Sequence, residues 1–271
     1  MTMENMVNYA AVAFLVLTAC SQHPESPPDN EAATPAPAAQ PIPSEPASKP
    51  FSIDEENQLI EFHYGWSAEA AEVPALVGKF QADLQDVKAK LLEGAREDKA
   101  LRVKEGFDFN QYMSSTSYET AGRSEKLLSL RADVGDYTGG AHGNHGTRGL
   151  LWDRARAREV QVASLLAEPS NMDRLLTQRW CDALNAEREK RRGEPVGEGM
   201  FDDCPSFDDL AVIPSDKDRN GRFDNILIVA SPYVAGPYAE GMYEIELSVT
   251  SDLIAALKDD FRGDFEAGQT Q

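Results

Sequence analysis

The hydrophobic period of this chain changes abruptly, and the change limits the folds open to it. Between Gln58 and Trp66 the residues Ile60, Phe62, Tyr64 and Trp66 alternate with Leu59, Glu61 and His63. A period of two places the first set on one face of a half-buried strand. Beyond it, Leu76, Phe80, Leu84, Val87 and Leu91 recur at spacings of four and three among Glu, Lys, Gln and Ala. That pattern predicts a long amphipathic helix from about Pro74 to Lys99, with Gly94 as its weak point. The strand pattern then returns at Tyr112–Glu119 and Leu127–Val134, separated by the turn-like Ala121–Ser124, which a β-meander accounts for most simply. Leu150–Arg158 reads as a strand and turn and Val162–Leu166 as a short segment. Met172–Arg192 reads as a second amphipathic helix carrying Leu175, Leu176, Trp180 and Leu184, with Gly193 at its stop. Strand signals follow at Leu210–Ile213, Phe223–Ala230 and Met242–Val249, and Ser251-Asp252 is placed to cap a final helix over Leu253–Lys258. Strands interleaved with two separated main helices, and no repeat of fixed period, predict an α+β fold with a mostly antiparallel sheet.

The first fifty residues cannot contribute to that core. Ala10–Ala19 is an apolar run of about ten residues, the length of a signal-peptide core and far short of the roughly 20 needed to cross a bilayer. It ends Leu17-Thr18-Ala19-Cys20, which resembles the lipobox of bacterial lipoproteins. That resemblance implies a signal peptide over residues 1–19 and a lipidated Cys20 as the mature first residue. Ser21, in place of Asp, resembles the outer-membrane sorting pattern. The segment before the run has no Lys or Arg, so an ordinary signal peptide or an uncleaved apolar tail stands as the alternative. Residues 20–50 hold nine of the sixteen prolines and almost nothing large and apolar. Such a segment reads as a disordered linker, with a reach on the order of 90 Å at full stretch. The expected location is the bacterial cell envelope, on the periplasmic face of the outer membrane, with the lipid anchor as the only membrane contact. Residues 51–271 are left to form the domain.

Charge narrows the partners. The chain carries 26 Lys and Arg against 46 Asp and Glu, a net charge of −20, which argues against nucleic acid because that affinity comes from cations that release phosphate counterions. Without the first fifty residues the balance is 25 basic to 41 acidic, or −16. Cys181 and Cys204 are the only cysteines besides Cys20, and in an oxidising compartment such a pair is expected to form a disulfide. The alternative is two free thiols. The absence of Cys-x-x-Cys gives no sign of oxidoreductase chemistry.

Two loops stand out. Asp136–Asn144 places Gly139, Gly140 and Gly143 within five residues. It reads either as a tight connection between strands or as a nest of backbone N–H groups for an anion, with Gly139, Gly140, His142 and Asn144 as candidate ligand-binding residues. It lacks the Lys and Ser/Thr of a nucleotide-binding loop. His142 and His145 could share a metal with His63, but no Cys or acid stands at a recognised ligand spacing. Asp216, Asp218, Asn220 and Asp224 stand at positions 1, 3, 5 and 9 of a calcium-loop pattern with Gly221 at position 6, although position 12 is Leu227 rather than a bidentate Glu. A weak, millimolar calcium site or a plain Asn-Gly hairpin both fit this loop, and no cofactor is required. Asp202-Asp203 and Asp208-Asp209 read as solvated acidic pairs. No nucleophile elbow, His-Glu-x-x-His helix or spaced acidic pair identifies a catalytic residue.

Three further stretches carry a family resemblance: YTGGAHGN at Tyr137–Asn144, LLWD at Leu150–Asp153 and PYVAGPYAEG at Pro232–Gly241. Together they resemble the extracytoplasmic domain of RsiV-type anti-sigma factors, which also precedes the catalytic domain of PdaC-type peptidoglycan deacetylases. The likeness spans about Phe51 to Leu257. It implies an α+β envelope domain, with lysozyme binding in the RsiV branch and cell-wall association in the other. The lipoprotein-like start stands where an anti-sigma factor would have its sigma-binding segment and transmembrane helix, and no deacetylase catalytic domain is seen, so signalling and catalysis are not expected to carry over. The transferable part is a binding module for a cationic envelope protein such as lysozyme, or for peptidoglycan. Tyr233 and Tyr238 join the candidate ligand-binding residues, since aromatics beside Pro and Gly make rigid contact points. A cell-wall-modifying enzyme and a purely structural envelope lipoprotein are the alternatives.

Overall fold

The structure, a computed structural model, describes residues 48–269. The signal-like run, Cys20 and nearly all of the Pro-rich segment lie outside the described residues. Alternation builds the first sheet: β1 (Phe51–Glu56), β2 (Ile60–Trp66), β3 (Tyr112–Arg123), β4 (Leu127–Tyr137), β5 (Asn144–Asp153) and β6 (Arg158–Val160), hydrogen-bonded in sequence order. All neighbours are antiparallel except β2 and β3, which are parallel. Parallel neighbours need a long crossover. It is provided by α1 (Ala68–Ala71) and α2 (Pro74–Glu105).

The crossover helix returns along the face on which Ile60, Phe62, Tyr64 and Trp66 are buried, as their alternation predicts, and packs Leu76, Phe80, Leu84 and Leu91 against them. The rings of Phe80 and Tyr118 stack with centroids 4.1 Å apart. The helix is longer than the apolar stripe indicates, passing through Gly94 without interruption and ending at Gly106 in the left-handed conformation. The strong helix formers after Lys99 sustain it past the edge of the core, where Leu101 and Val103 are exposed.

The second sheet is an antiparallel meander of β7 (Ala211–Ser215), β8 (Asn225–Ala230) and β9 (Tyr243–Ser248). β7 packs on β3, β4 and β5. On the far side of the small sheet, α3 (Asn171–Arg192) buries Leu176, Trp180 and Leu184 against Ile226, Ile228, Tyr243 and Ile245. Gly193 ends α3 in the left-handed conformation, as the sequence indicates. The layers therefore run α2, large sheet, small sheet, α3, an α+β architecture with two long helices. A bulge between Thr120 and Gly122 fixes where the sheets meet. The Asp216 N–H donates to Ala121 O at 3.1 Å, and a Cβ at Gly122 would lie 2.7 Å from Asp216 N.

Some boundaries differ from expectation. β1 is a polar edge strand whose burial alternates weakly, so its hydrophobic pattern carries little signal. β5 begins at Asn144 rather than near Leu150, because backbone pairing with β4 extends through polar residues opposite Asp136, Gly135 and Val134. The helix α4 (Ser251–Ala256) is capped by Thr250, whose hydroxyl accepts from the Leu253 N–H, rather than by Ser251 or Asp252. A short α5 (Asp259–Arg262) follows it. Among the described residues no helix is long and apolar enough to cross a membrane.

Candidate functional site

The Gly-rich motif closes the hairpin between β4 and β5, with Gly139 and Gly140 at φ 92° and 102°. Left-handed backbone at two adjacent positions is costly for any residue with a Cβ, and it lifts the following residues away from the sheet end. The Tyr137 hydroxyl donates to Gly140 O at 3.2 Å and the Asn144 amide to Asp136 Oδ2 at 3.4 Å. Asn144 therefore braces the hairpin. His142 is exposed, its Nδ1 2.9 Å from Gly143 O.

The segment joining β8 to β9 carries the other motif and meets this hairpin. The Tyr238 ring stacks on the His142 ring with centroids 4.0 Å apart at 26°, meets His145 edge-on at 5.5 Å and lies 5.7 Å from the Tyr233 ring. The Tyr238 hydroxyl donates to Gly143 O at 2.8 Å. One residue pair further along β5, the Thr147 N–H donates to Ser231 Oγ at 3.2 Å. Tyr233 is 54 % exposed and sits at φ 70°, a backbone region that costs a tyrosine of order 1 kcal/mol or more. Two stretches distant in sequence thus form one surface of two tyrosines and two histidines.

What holds this surface from behind leaves no apolar pattern in the sequence. Arg188, in the Glu-Arg-Glu-Lys-Arg-Arg run of α3, is 0 % exposed. Its Nε and Nη2 donate to Ala235 O at 3.1 and 2.9 Å, its Nη1 to Asp202 O and Asn185 Oδ1, and its Nη2 also to Asp203 O, these three at 3.0 Å. Burial, with Arg192 nearby, lowers its pKa, while Asp202 and Glu240 oppose that shift. Five bonds to neutral oxygens satisfy a guanidinium that lacks a direct carboxylate partner. The Cys181–Cys204 disulfide, with Cα atoms 5.7 Å apart, joins α3 to the residue next to Asp203. Arg191 donates to Glu240 O and Met242 O at 2.8 Å each and lies 4.1 Å over the Tyr243 ring. Arg192 bridges Asp202 and Glu240 at 2.5 and 2.9 Å. Burial opposes ionisation of Glu240, yet hydrogen bonds from Arg192 and Tyr243 outweigh it and hold the carboxyl below its usual range. An apolar period identifies none of these arginines. The available signal was their density in the last turns of a helix with a buried face.

The other candidates lie elsewhere. His63 sits on β2 with Nδ1 2.7 Å from Asp54. Across the sheet it shares a row with Ser115, Gly135 and His145, so it stands three strand spacings, about 14 Å, from His145. In the Asp216–Asp224 loop, the Asp216 oxygens accept from the Asn220 and Gly221 N–H groups at 3.1 and 2.9 Å. Asp218 accepts from Asn220, Asn220 Oδ1 from the Arg222 N–H and Asp224 Oδ1 from the Lys217 N–H. The oxygens at the calcium-like positions are thus engaged by the loop itself. Among the described residues no group of three or more His, Cys, Asp or Glu is arranged to hold a metal ion. Among the described residues neither His142 nor His145 is hydrogen-bonded to a serine, cysteine or carboxylate. The arrangement sets aromatic faces and imidazole edges side by side.

No curated protein matches the chain. Residues 53–145 match the family model described as Deacetylase PdaC, so the PdaC-type resemblance holds from β1 to the Gly-rich hairpin. Among solved structures, a DUF3298 family member from Bacteroides fragilis has a TM-score of 0.47 at 15 % identity, covering 80 % of this chain and 97 % of its own. A DUF3298 family protein from Pseudomonas aeruginosa has a TM-score of 0.46 at 13 % identity, covering 81 % and 95 %.

Proposed function

We propose that this chain, PdaC-like over residues 53–145, is a lipid-anchored binding module of the bacterial envelope that holds peptidoglycan on the Tyr233, Tyr238 and His142 surface. One observation carries the reading: Tyr238 is stacked on His142 at 4.0 Å, beside a Tyr233 that is largely exposed. Sugar rings present apolar C–H faces that pack on aromatic rings, while their hydroxyls seek partners such as imidazole nitrogens and backbone carbonyls. Gly139 and Gly140 shape the hairpin and Asn144 braces it, so these three act on the ligand through His142. In the same proposal Cys20 carries the anchor, the Pro-rich segment spaces the domain from the periplasmic face of the outer membrane, and the domain needs no cofactor.

A second reading rests on charge. The net charge of −16 on residues 51–271 would steer a cationic wall-lytic protein such as lysozyme towards the domain. Salt separates the two. Cosedimentation of the purified protein with insoluble peptidoglycan, and a parallel pull-down with lysozyme, are compared at low and physiological salt. Glycan stacking predicts salt-tolerant cosedimentation that Tyr238→Ala abolishes. Lysozyme retention at physiological salt, with no cosedimentation, would move the function to the second reading.

A further inference from the structure

A cleft of about 650 Å³ opens where the Asp216–Asp224 loop docks on the β3 bulge. It is separate from the tyrosine surface. That surface lies at the end of β3 where Met113 pairs with Tyr137, whereas the cleft follows β3 from Ser117 to Arg123. Glu119 is six residues from Met113, or about 20 Å along a strand. The volume falls within the range of small-ligand sites, about 300 to 1,000 Å³.

Most charged groups of the lining are engaged. His63 meets Asp54, Glu69 accepts from Thr120, Arg123 pairs with Glu72, and Asp216 accepts from its own loop. Glu119 and Arg219 differ. Both line the cleft, and among the described residues neither side chain has a hydrogen-bond or ion-pair partner. One anion and one cation therefore border the same space without closing on each other. Arg219 is held at φ 59°, a conformation that costs an arginine roughly 1 kcal/mol and that the loop nevertheless maintains. Ser52 and Ser117, which carry hydroxyls, line the same cleft, as do Phe51 and Trp66, whose rings stack at 4.0 Å.

We propose that this cleft binds a short zwitterionic peptide, with the peptide carboxylate on the Arg219 guanidinium and its ammonium on the Glu119 carboxylate. The serine hydroxyls face the peptide backbone, and an apolar side chain rests against Phe51. Charge-assisted bonds at both ends select for free termini and for a length that spans the two groups. The proposal does not depend on what the tyrosine surface binds.

Calorimetric and NMR titration of the whole protein with trialanine tests it. Saturable binding in the millimolar range is expected, weakened about tenfold or more by N-acetylation, by C-amidation, by Glu119→Gln and by Arg219→Asn. Asn accepts the left-handed backbone at that position, so the variant removes the charge without disturbing the loop. Tyr238→Ala leaves trialanine binding unchanged. No saturable signal up to about 20 mM overturns the proposal on the millimolar scale. Equal affinity for the doubly blocked peptide, or wild-type affinity in either charge variant, does the same.

Discussion

Of the two loops that flank β8, the sequence marks the first by its calcium-like acidic pattern and the second by its tyrosines beside Pro and Gly, and they use their side chains in opposite ways. The Asp216–Asp224 loop turns its carboxylates inward onto its own N–H groups. The segment after β8 turns Tyr233 and Tyr238 outward and is held from behind by α3, its backbone through Arg188 and Arg191 and its Glu240 carboxylate through Arg192. A loop that satisfies its own polar groups has few left for a ligand. One that is satisfied from behind can present rigid side chains at little ordering cost.

The largest effect that can break this contrast is removal of its support. Arg188→Met leaves the Ala235, Asp202 and Asp203 carbonyls without their donor. We expect a loss of about 3 kcal/mol, seen as a fall in Tm of about 6–12 °C, together with loss of ligand binding. Reduction of the disulfide frees the Asp202–Asp203 segment from α3 at about the same cost, because the bond closes a loop across a separation of 23 residues. If either change leaves both Tm and binding intact, the outward loop stands by itself and the contrast fails.

A sharper test separates stability from binding. Tyr233→Gly should raise stability by about 1 kcal/mol, by relieving the left-handed backbone, while weakening ligand retention several-fold. Thermal unfolding and cosedimentation on the same variant check both signs. Asp216→Ala, on the inward loop, removes two acceptors and should cost about 1–2 kcal/mol without touching binding. Millimolar calcium should move the wild-type Tm by less than about 1 °C if the loop's own N–H groups hold those oxygens.

The smallest effect concerns pH. Burial raises the pKa of Asp216, against the opposing pull of its backbone hydrogen bonds, and likewise that of Asp264, which is 3 % exposed with one carboxyl oxygen unpartnered among the described residues. A carboxyl raised on folding binds its proton more tightly in the folded state. Its contribution to stability is full below the ordinary carboxylate range and is lost as pH rises through the raised value. Asp264→Asn should therefore flatten the decline in Tm between acid and neutral pH, with a gain at neutrality of about 1 kcal/mol.

The parts of the fold legible in the sequence are those in which one face is apolar. Ile60 to Trp66, the stripe from Leu76 to Leu91 and the Leu176 to Leu184 face of α3 each identify an element and its buried side. The disulfide followed from cysteine count and expected compartment. The parallel pairing of β2 with β3 was not legible, because a buried strand carries no mark of its neighbour's direction. Nor was the contact of His142 with Tyr238, since either ring alone reads as turn or core. Arg188 was hidden for a physical reason: its acceptors are backbone carbonyls of distant residues, which no side-chain pattern records.

The most direct test of the tyrosine surface uses the imidazole resonances. The chain has four histidines, His23, His63, His142 and His145, and two of them touch Tyr238. Titration with soluble peptidoglycan fragments should shift the ring protons of His142 and His145 in a saturable way, leave His63 in place, and lose both shifts in Tyr238→Ala. Binding that moves His63 alone, or that leaves all four histidines unmoved, would contradict the assignment of this surface as the ligand site.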